Sequence, residues 1–317
     1  MKRAFLALAL CLPAARSAGA AGFNAAARGT TTAEFLSLGA GARAVAMGQA
    51  YGAAADDATA LYWNPAALTR VPRRSATLMH AAYIDSSFFD YGAYAQNLGA
   101  WGAFGTSFQY FSAGQIKQTD ATGTDVGSFT PYDLAVSAGY AYRLGGIEFM
   151  PDFNGFSLGV SAKLIQSKIL ATAQTAAVDV GLLTPAYWNG RFRGSLTVTN
   201  LGGRMRFEET AEALPAAARL GSALALTPAW LLSADAVFPR GDGAYGALGT
   251  EYAMAASGPW KFAGRAGYSS QTATGISGLT GVSLGFGVGR GKNAFDYAFV
   301  PFGGLGQAHR LSFTYNF

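Results

Sequence analysis

From residue 74 to its end the chain alternates. "GVSLGFGV" sets Val282, Leu284, Phe286 and Val288 on one face and Gly281, Ser283, Gly285 and Gly287 on the other. "YDLAVSAGYAYRL" separates Leu134, Val136, Ala138, Tyr140 and Tyr142 from Ala135, Ser137, Gly139, Ala141 and Arg143. "RLSFTYNF" ends the chain the same way, with Leu311, Phe313, Tyr315 and Phe317 on one side. A period of two is a strand whose faces meet different surroundings. Such segments fall at 74–85, 87–98, 100–113, 131–143, 154–169, 174–187, 191–201, 215–227, 229–239, 244–255, 259–269, 277–289, 292–300 and 308–317, about fourteen in all. Turn-like joints such as "LGG", "NGR", "RGDG" and "FGGLG" separate them. No linker divides residues 74–317, which read as one unit.

Charge decides what surrounds these strands. Half the residues are hydrophobic and only 13% are charged, too few to cover a soluble surface comfortably. A lipid solvent removes that difficulty. In hydrocarbon every backbone N–H and C=O must pair within the protein, and a closed barrel does this without leaving an edge. The expected fold is therefore all-β, a transmembrane antiparallel β-barrel of about 14 strands. Its apolar face meets lipid. The inner face should carry Arg143, Lys163, Asp179, Arg193, Asp235, Lys261, Arg265, Asp296 and Arg310. The terminal Phe317, with Tyr315, resembles the targeting signature of bacterial outer-membrane barrels, which implies outer-membrane lipid and the barrel-assembly machinery as partners.

The first residues fit export. "MKR" is basic, "AFLALALCL" is apolar and "SAGA" ends in a small-x-small pattern, the form of a cleavable signal peptide over residues 1–20. The apolar run is too short for a spanning helix. The expected location is the cell outer membrane. Cys11 is the single cysteine and leaves with the signal, so no disulfide, thiol catalysis or thiolate metal site is expected. Lys2, Arg3 and Arg16 leave too, and the formal charge falls from +5 to +2. No basic cluster remains to suggest a nucleic-acid partner.

Residues 21–73 break the alternation. "DDATALYWNPAAL" (56–68) carries two acids, a short apolar run, a tryptophan and Asn-Pro. Asp56 or Asp57 can cap a short helix through "ATALY". Asn64 precedes Pro65 and is pushed out of the helical region, so the helix should stop there. A fourteen-stranded barrel has a lumen too wide for its own side chains. Compact irregular backbone is tolerated at membrane depth inside such a lumen. The segment is expected to be an N-terminal plug or hatch, anchored by Trp63, ahead of a barrel over 74–317.

The stretch "EFLSLGAGARAVAMGQAYGAAADDATALYWNPAAL" resembles the N-terminal motif of the PorV/PorQ family of outer-membrane proteins, which are similar in fold to the FadL fatty-acid channels. "SLGVSAKLIQSKI", "VTNLGGRMRFEE" and "FDYAFVPFGGLGQAHRLSFTYNF" fit the same family. The resemblance implies a fourteen-stranded barrel with an N-terminal segment tucked inside, and matches Asn64, Pro65 and Ala66 to the family's NPA motif. Gln49 stands where the family often has glycine, which touches fine turn geometry. Two roles follow from the resemblance. One is an interaction and export role of the type IX secretion kind, with secretion components or exported proteins as partners. The other is a FadL-like channel for hydrophobic small molecules. The segments between strands are short except 114–130 and 202–214, and a channel gathering greasy ligand from water needs long loops. That favours the export-associated role.

No catalytic, cofactor or metal site is expected, and the chain does not read as an enzyme. "GAGARA" lacks the βαβ unit of a dinucleotide site. "GFSLG" and "GVSLG" place their serines inside alternating strands, whereas a nucleophile elbow needs a strand-to-helix turn. His80 and His309 read as strand residues near an interface, and no paired metal-ligand spacing occurs.

Overall fold

The computed structural model describes residues 29–146, 151–207, 210–256, 258–273 and 277–317. The expected signal peptide lies outside the described residues. In chain order the strands are Arg74–Ala82 (β1), Phe88–Asn97 (β2), Ala103–Ser112 (β3), Ile116–Thr119 (β4), Asp125–Phe129 (β5), Tyr132–Arg143 (β6), Ser157–Lys168 (β7), Thr172–Leu183 (β8) and Phe192–Gly202 (β9). They continue as Arg204–Phe207 (β10), Thr210–Ala213 (β11), Ala217–Thr227 (β12), Trp230–Pro239 (β13), Tyr245–Ala255 (β14), Trp260–Ser269 (β15), Val282–Arg290 (β16), Asn293–Pro301 (β17) and Gln307–Asn316 (β18).

Fourteen of these form a closed antiparallel barrel in which each strand pairs with its chain neighbour; β4–β5 and β10–β11 are separate hairpins. Each of the fourteen expected segments overlaps one barrel strand. The two hairpins grow from the two longer connections. In the first, the Asp120 carboxylate accepts from the Thr122 hydroxyl and from the N–H groups of Thr122 and Thr124, which holds its carboxyl below the usual range. Closure falls between the first and last strands. β1 and β18 pair from Ser75 with Asn316 to Ala82 with His309, and the Phe317 N–H donates to the Arg74 carbonyl at 3.0 Å. No strand of the barrel is left with an open edge, which is what a lipid environment demands.

The alternation sorts as expected. Leu78, Leu164, Leu248, Leu284, Phe295 and Leu311 face outward and are each more than half exposed. Their neighbours in sequence, among them Thr77, Lys163, Ser283 and Arg310, are buried on the inside. The end where β1 begins and β18 finishes, here the terminal end, is ringed by Trp101, Tyr140, Trp230, Tyr252 and Trp260, as at a lipid–water interface. The other end, the distal end, carries both hairpins and the 270–281 connection.

The wall is lined from within by the residues that precede it. A 3-10 turn at Glu34–Ser37, helix Ala42–Ala46 (α1), helix Ala60–Trp63 (α2) and a 3-10 helix at Pro65–Arg70 make up this segment. It starts at the distal end, where the Thr32 N–H donates to the Ala213 carbonyl at 3.0 Å, and reaches the terminal end at Arg74. α1 packs on β15–β18, and the Pro65–Arg70 helix packs on β2, β3 and β6–β8. Contacts on both sides place the segment in the lumen. Its alanines, together with Phe35, Met47, Tyr51, Leu61, Trp63 and Leu68, are buried and form the core of the molecule. Burying a side chain such as Leu61 or Leu68 is worth about 1.5–3 kcal/mol.

Candidate functional site in the barrel lumen

The motif "DDATALYWNPAAL" forms two short helices joined by Asn64. α2 is preceded by Asp57, whose Oδ1 accepts from the Thr59 N–H at 2.8 Å and from the Thr59 hydroxyl at 2.5 Å. The position before α2 is Thr59, and no side chain caps it directly. The capping expected of "Asp56 or Asp57" is thus an Asx turn made by Asp57, one step ahead of the helix. Asp56 takes no part in it. Its Oδ1 lies 2.7 Å from Arg43 Nη1 and its Oδ2 lies 3.8 Å from Arg70 Nη2. Two guanidinium groups hold a carboxylate more strongly than a neutral N–H does.

Asn64 ends α2 as its place before proline requires, with extended φ −163° and ψ 106°. A second helix begins at once, a start that was not expected. Pro65 fills its first position, where a missing N–H costs nothing. The Asn64 Oδ1 caps it by accepting from the Ala66 N–H at 3.0 Å. The same side chain donates to the carbonyls of Gly52 at 3.3 Å and Leu182 at 3.2 Å, so one buried amide ties two turns of the luminal segment to strand β8. Trp63 is buried, donates from Nε1 to the Ala40 carbonyl at 2.8 Å, and stacks edge-on with Tyr62 and Tyr51.

Close approach depends on what the wall lacks. A Cβ on Gly159 (β7) would overlap the backbone of Pro65 and Ala66, and one on Gly181 (β8) would overlap Asn64 Oδ1. Across the lumen, a Cβ on Gly267 (β15) would overlap the backbone of Met47 and Gly48. Two glycine seats, in β7–β8 and in β15, therefore grip the segment from both sides. Between them Gln49 holds a left-handed φ of 66° that glycine takes freely; its carbonyl accepts from Arg219 Nη1 at 2.8 Å, which fixes that turn.

Charges on the inner wall complete the grip. Arg43 on α1 donates from Nε and Nη2 to the two carboxylate oxygens of Glu251 (β14), each at 2.7 Å. Glu251 also accepts from Arg265 Nε (β15) at 2.6 Å, and Arg265 Nη1 reaches Asp296 (β17) at 2.7 Å. Asp235 (β13) accepts from the N–H groups of Tyr51 and Gly52 at 3.1 and 3.0 Å and from Arg219 at 2.8 Å. Arg219 also lies 5.2 Å from the Trp63 ring centroid. Arg310 donates to the carbonyls of Gly39 and Leu38 at 2.6 and 2.7 Å. Lys163 and Asp179 pair on the wall at 2.9 Å.

Six of the nine expected inner charges, Lys163, Asp179, Asp235, Arg265, Asp296 and Arg310, are buried as expected. Arg143 and Lys261 share the inner alternation but lie at the terminal rim, where the chain leaves the packed lumen and both are exposed; Arg193 is half-buried. Arg219 and Glu251 are inner charges that the expectation missed, although both sit on the inner period of their strands. The serines of the two G-x-S-x-G matches also serve the luminal segment. Ser283 accepts from Gly48 N–H and donates to the Ala46 carbonyl, and Ser157 accepts from the Thr69 hydroxyl. His80 and His309 lie in the outer halves of β1 and β18, with Nδ1 atoms 2.7 Å from Asp90 and from the Tyr297 hydroxyl.

Among the cavities that border the segment, two lie at opposite ends of the lumen. One of about 240 Å³ opens on the distal side among Glu34, Tyr62, Trp63, Lys163, Arg219 and Tyr245. The other, of about 290 Å³, opens on the terminal side among Asp56, Arg70, Arg191, Arg193, Trp230 and Glu251. They share no lining residue.

The model of the family described as type IX secretion system protein PorV matches residues 23–228, which takes in the luminal segment and the strands through β12. No curated relative matches the chain in sequence. Among solved structures, the Pseudomonas putida toluene transporter TodX superposes with a TM-score of 0.59 at 13% identity, covering 88% of this chain and 98% of that one. The Ralstonia pickettii toluene transporter TbuX gives 0.57 at 14%, with the same 88% and 98%. A Pseudomonas aeruginosa FadL homologue gives 0.55 at 13%, covering 94% and 100%. At these identities the likeness is one of fold.

Proposed function

The chain belongs to the PorV family, and from that premise we propose that it serves protein export as an outer-membrane barrel closed by its own N-terminal segment. On this reading residues 1–20 are removed on export, residues 21–73 are the hatch, and secretion components or exported proteins are the partners. The observation that carries it is the filled lumen. The family match covers the hatch and the first eight strands of the wall, and the cavity on the terminal side shares no lining residue with those on the distal side. A barrel plugged in this way offers its rims and outer face to partners. Affinity purification of the full chain from native outer membranes in mild detergent tests this, with mass spectrometry of what accompanies it. Secretion components or exported proteins should co-purify. A barrel that comes away alone would count against the reading.

A second reading, inward passage of hydrophobic small molecules, is favoured by the distal cavity, where Leu36, Tyr62 and Trp63 form an apolar wall. Native mass spectrometry that finds lipid or hydrocarbon bound there, with no protein partner, would support it. In both readings Tyr315 and Phe317 act as the C-terminal assembly signal. Their place at the β1–β18 closure supports this role, because the strand that completes the barrel is the one an assembly machine must hold.

A further inference from the structure

The terminal-side cavity holds more positive charge than its surroundings neutralise. Arg70, Arg191 and Arg193 line it with Asp56 and Glu251. Both acids are already engaged, Asp56 by Arg43 and Arg70 and Glu251 by Arg43 and Arg265. Arg191 and Arg193 have no ion pair and no side-chain hydrogen bond among the described residues, although Arg193 is half-buried. A half-buried guanidinium without a partner carries a desolvation cost that an anion would relieve. Apart from Thr227, the rest of the wall is apolar, with Ala53, Ala54, Ala223, Trp230 and Leu231 among it. The rim around it is basic as well, with Arg73, Arg74, Arg143, Lys261, Arg290 and Lys292 all at the terminal end.

We propose that this cavity binds the carboxylate of an acidic peptide segment presented from the terminal side, with Arg191 and Arg193 gripping the carboxylate and Trp230 and the alanines receiving an adjacent apolar side chain. A cavity of about 290 Å³ is larger than a lone oxyanion needs, and its mixed lining matches an acid beside an apolar residue. The basic rim would gather such a segment before it docks. In a barrel whose first strand begins and last strand finishes at one end, with the longer connections at the other, that terminal end faces the periplasm. This inference rests on the export reading for the identity of its ligand, but its test is direct binding to the purified protein and needs no secretion component.

The full barrel in detergent is titrated calorimetrically with acetyl-Ala-Glu-Leu-Glu-Leu-amide, with the peptide in which both Glu are Gln, and with inorganic phosphate. The acidic peptide should bind at least about tenfold more tightly than its Gln counterpart and than phosphate. An Arg191→Gln/Arg193→Gln double variant should lose that preference, while an Arg290→Gln variant, changed on the same rim but outside the cavity, should keep it. Retained heat-modifiable mobility of each variant reports a folded barrel. Equal binding of the Glu and Gln peptides, phosphate binding as tight as the acidic peptide, or an unchanged preference in a folded double variant would each overturn the proposal. A failed pull-down with intact peptide binding would instead sink the export reading alone.

Discussion

Wall and luminal segment meet the same requirement, that no backbone group be left unpaired, by opposite means. The wall closes through a continuous ladder from β1 round to β18, and its side chains only have to sort inward or outward. The luminal segment has four short helical pieces. Its orphan groups are met one at a time, by Asn64, Asp57, Asp235, Ser283 and Arg310. A ladder tolerates substitution because neighbouring rungs remain. A set of single bonds does not share its load. The wall should therefore decide whether the molecule exists in the membrane, and the segment should decide whether it is shut.

Removing residues 21–68 is the most severe way to break that contrast. The deletion should still insert and keep heat-modifiable mobility, while single-channel conductance in planar bilayers rises severalfold above that of the full chain. Gly267→Val should move conductance in the same direction, since the new side chain displaces Met47 and Gly48. Equal conductance from folded samples would mean that the segment does not block the path. Phe317→Asp addresses the wall. The folded, membrane-inserted fraction should drop severalfold by gel mobility. At the interface the lipid cost of a charge is only about 0–1 kcal/mol, so such a drop would report recognition during assembly. Wild-type insertion would remove Phe317 from that role.

Smaller changes sharpen the comparison. Asn64→Ala removes one acceptor and two donors from a buried site and should cost about 1–3 kcal/mol of local stability. Hydrogen exchange should speed up over residues 60–70 but not over β7 or β8; equal acceleration in the strands would show that the segment and wall open together. Asp56→Asn should cost least, about 0–1 kcal/mol, because its side chain is 38% exposed and surface-type pairs contribute little. Thermal melts that resolve a larger loss would show the Arg43–Asp56–Arg70 group acting as a unit.

Legibility followed the same division. Strand number, faces and closure were readable because period two is set by the backbone and by which solvent each face meets. The hatch could be seen only as a break in that period. Its stop at Asn64 was readable, since proline restricts the residue before it whatever the surroundings. The helix after Pro65 was missed although its cap and its proline are local signals. The Arg43–Glu251 pair and the glycine seats were not readable, because each depends on which wall residue lies opposite, 93 to 220 residues away in sequence. The choice between Asp56 and Asp57 as cap stayed open for that reason. Sequence alone offers the local N–H, while Arg43 and Arg70 arrive only with the fold. Arg219 and Glu251 could have been found by extending the inner period along β12 and β14.

The closure between β1 and β18 carries a consequence for time as well as space. The segment that fills the lumen leaves the ribosome and crosses the inner membrane before any strand of the wall, and Tyr51, Tyr62 and Trp63 are packed in the middle of it. Once Ser75–Ala82 has paired with His309–Asn316, the side entrance is gone and only the two mouths remain. Bringing this bulk in afterwards would mean threading a chain end past a ring of buried ion pairs. Laying the wall down around it needs no threading. The last hydrogen bonds to form would then be those of the seam, and the barrel would be filled at the moment it becomes a barrel.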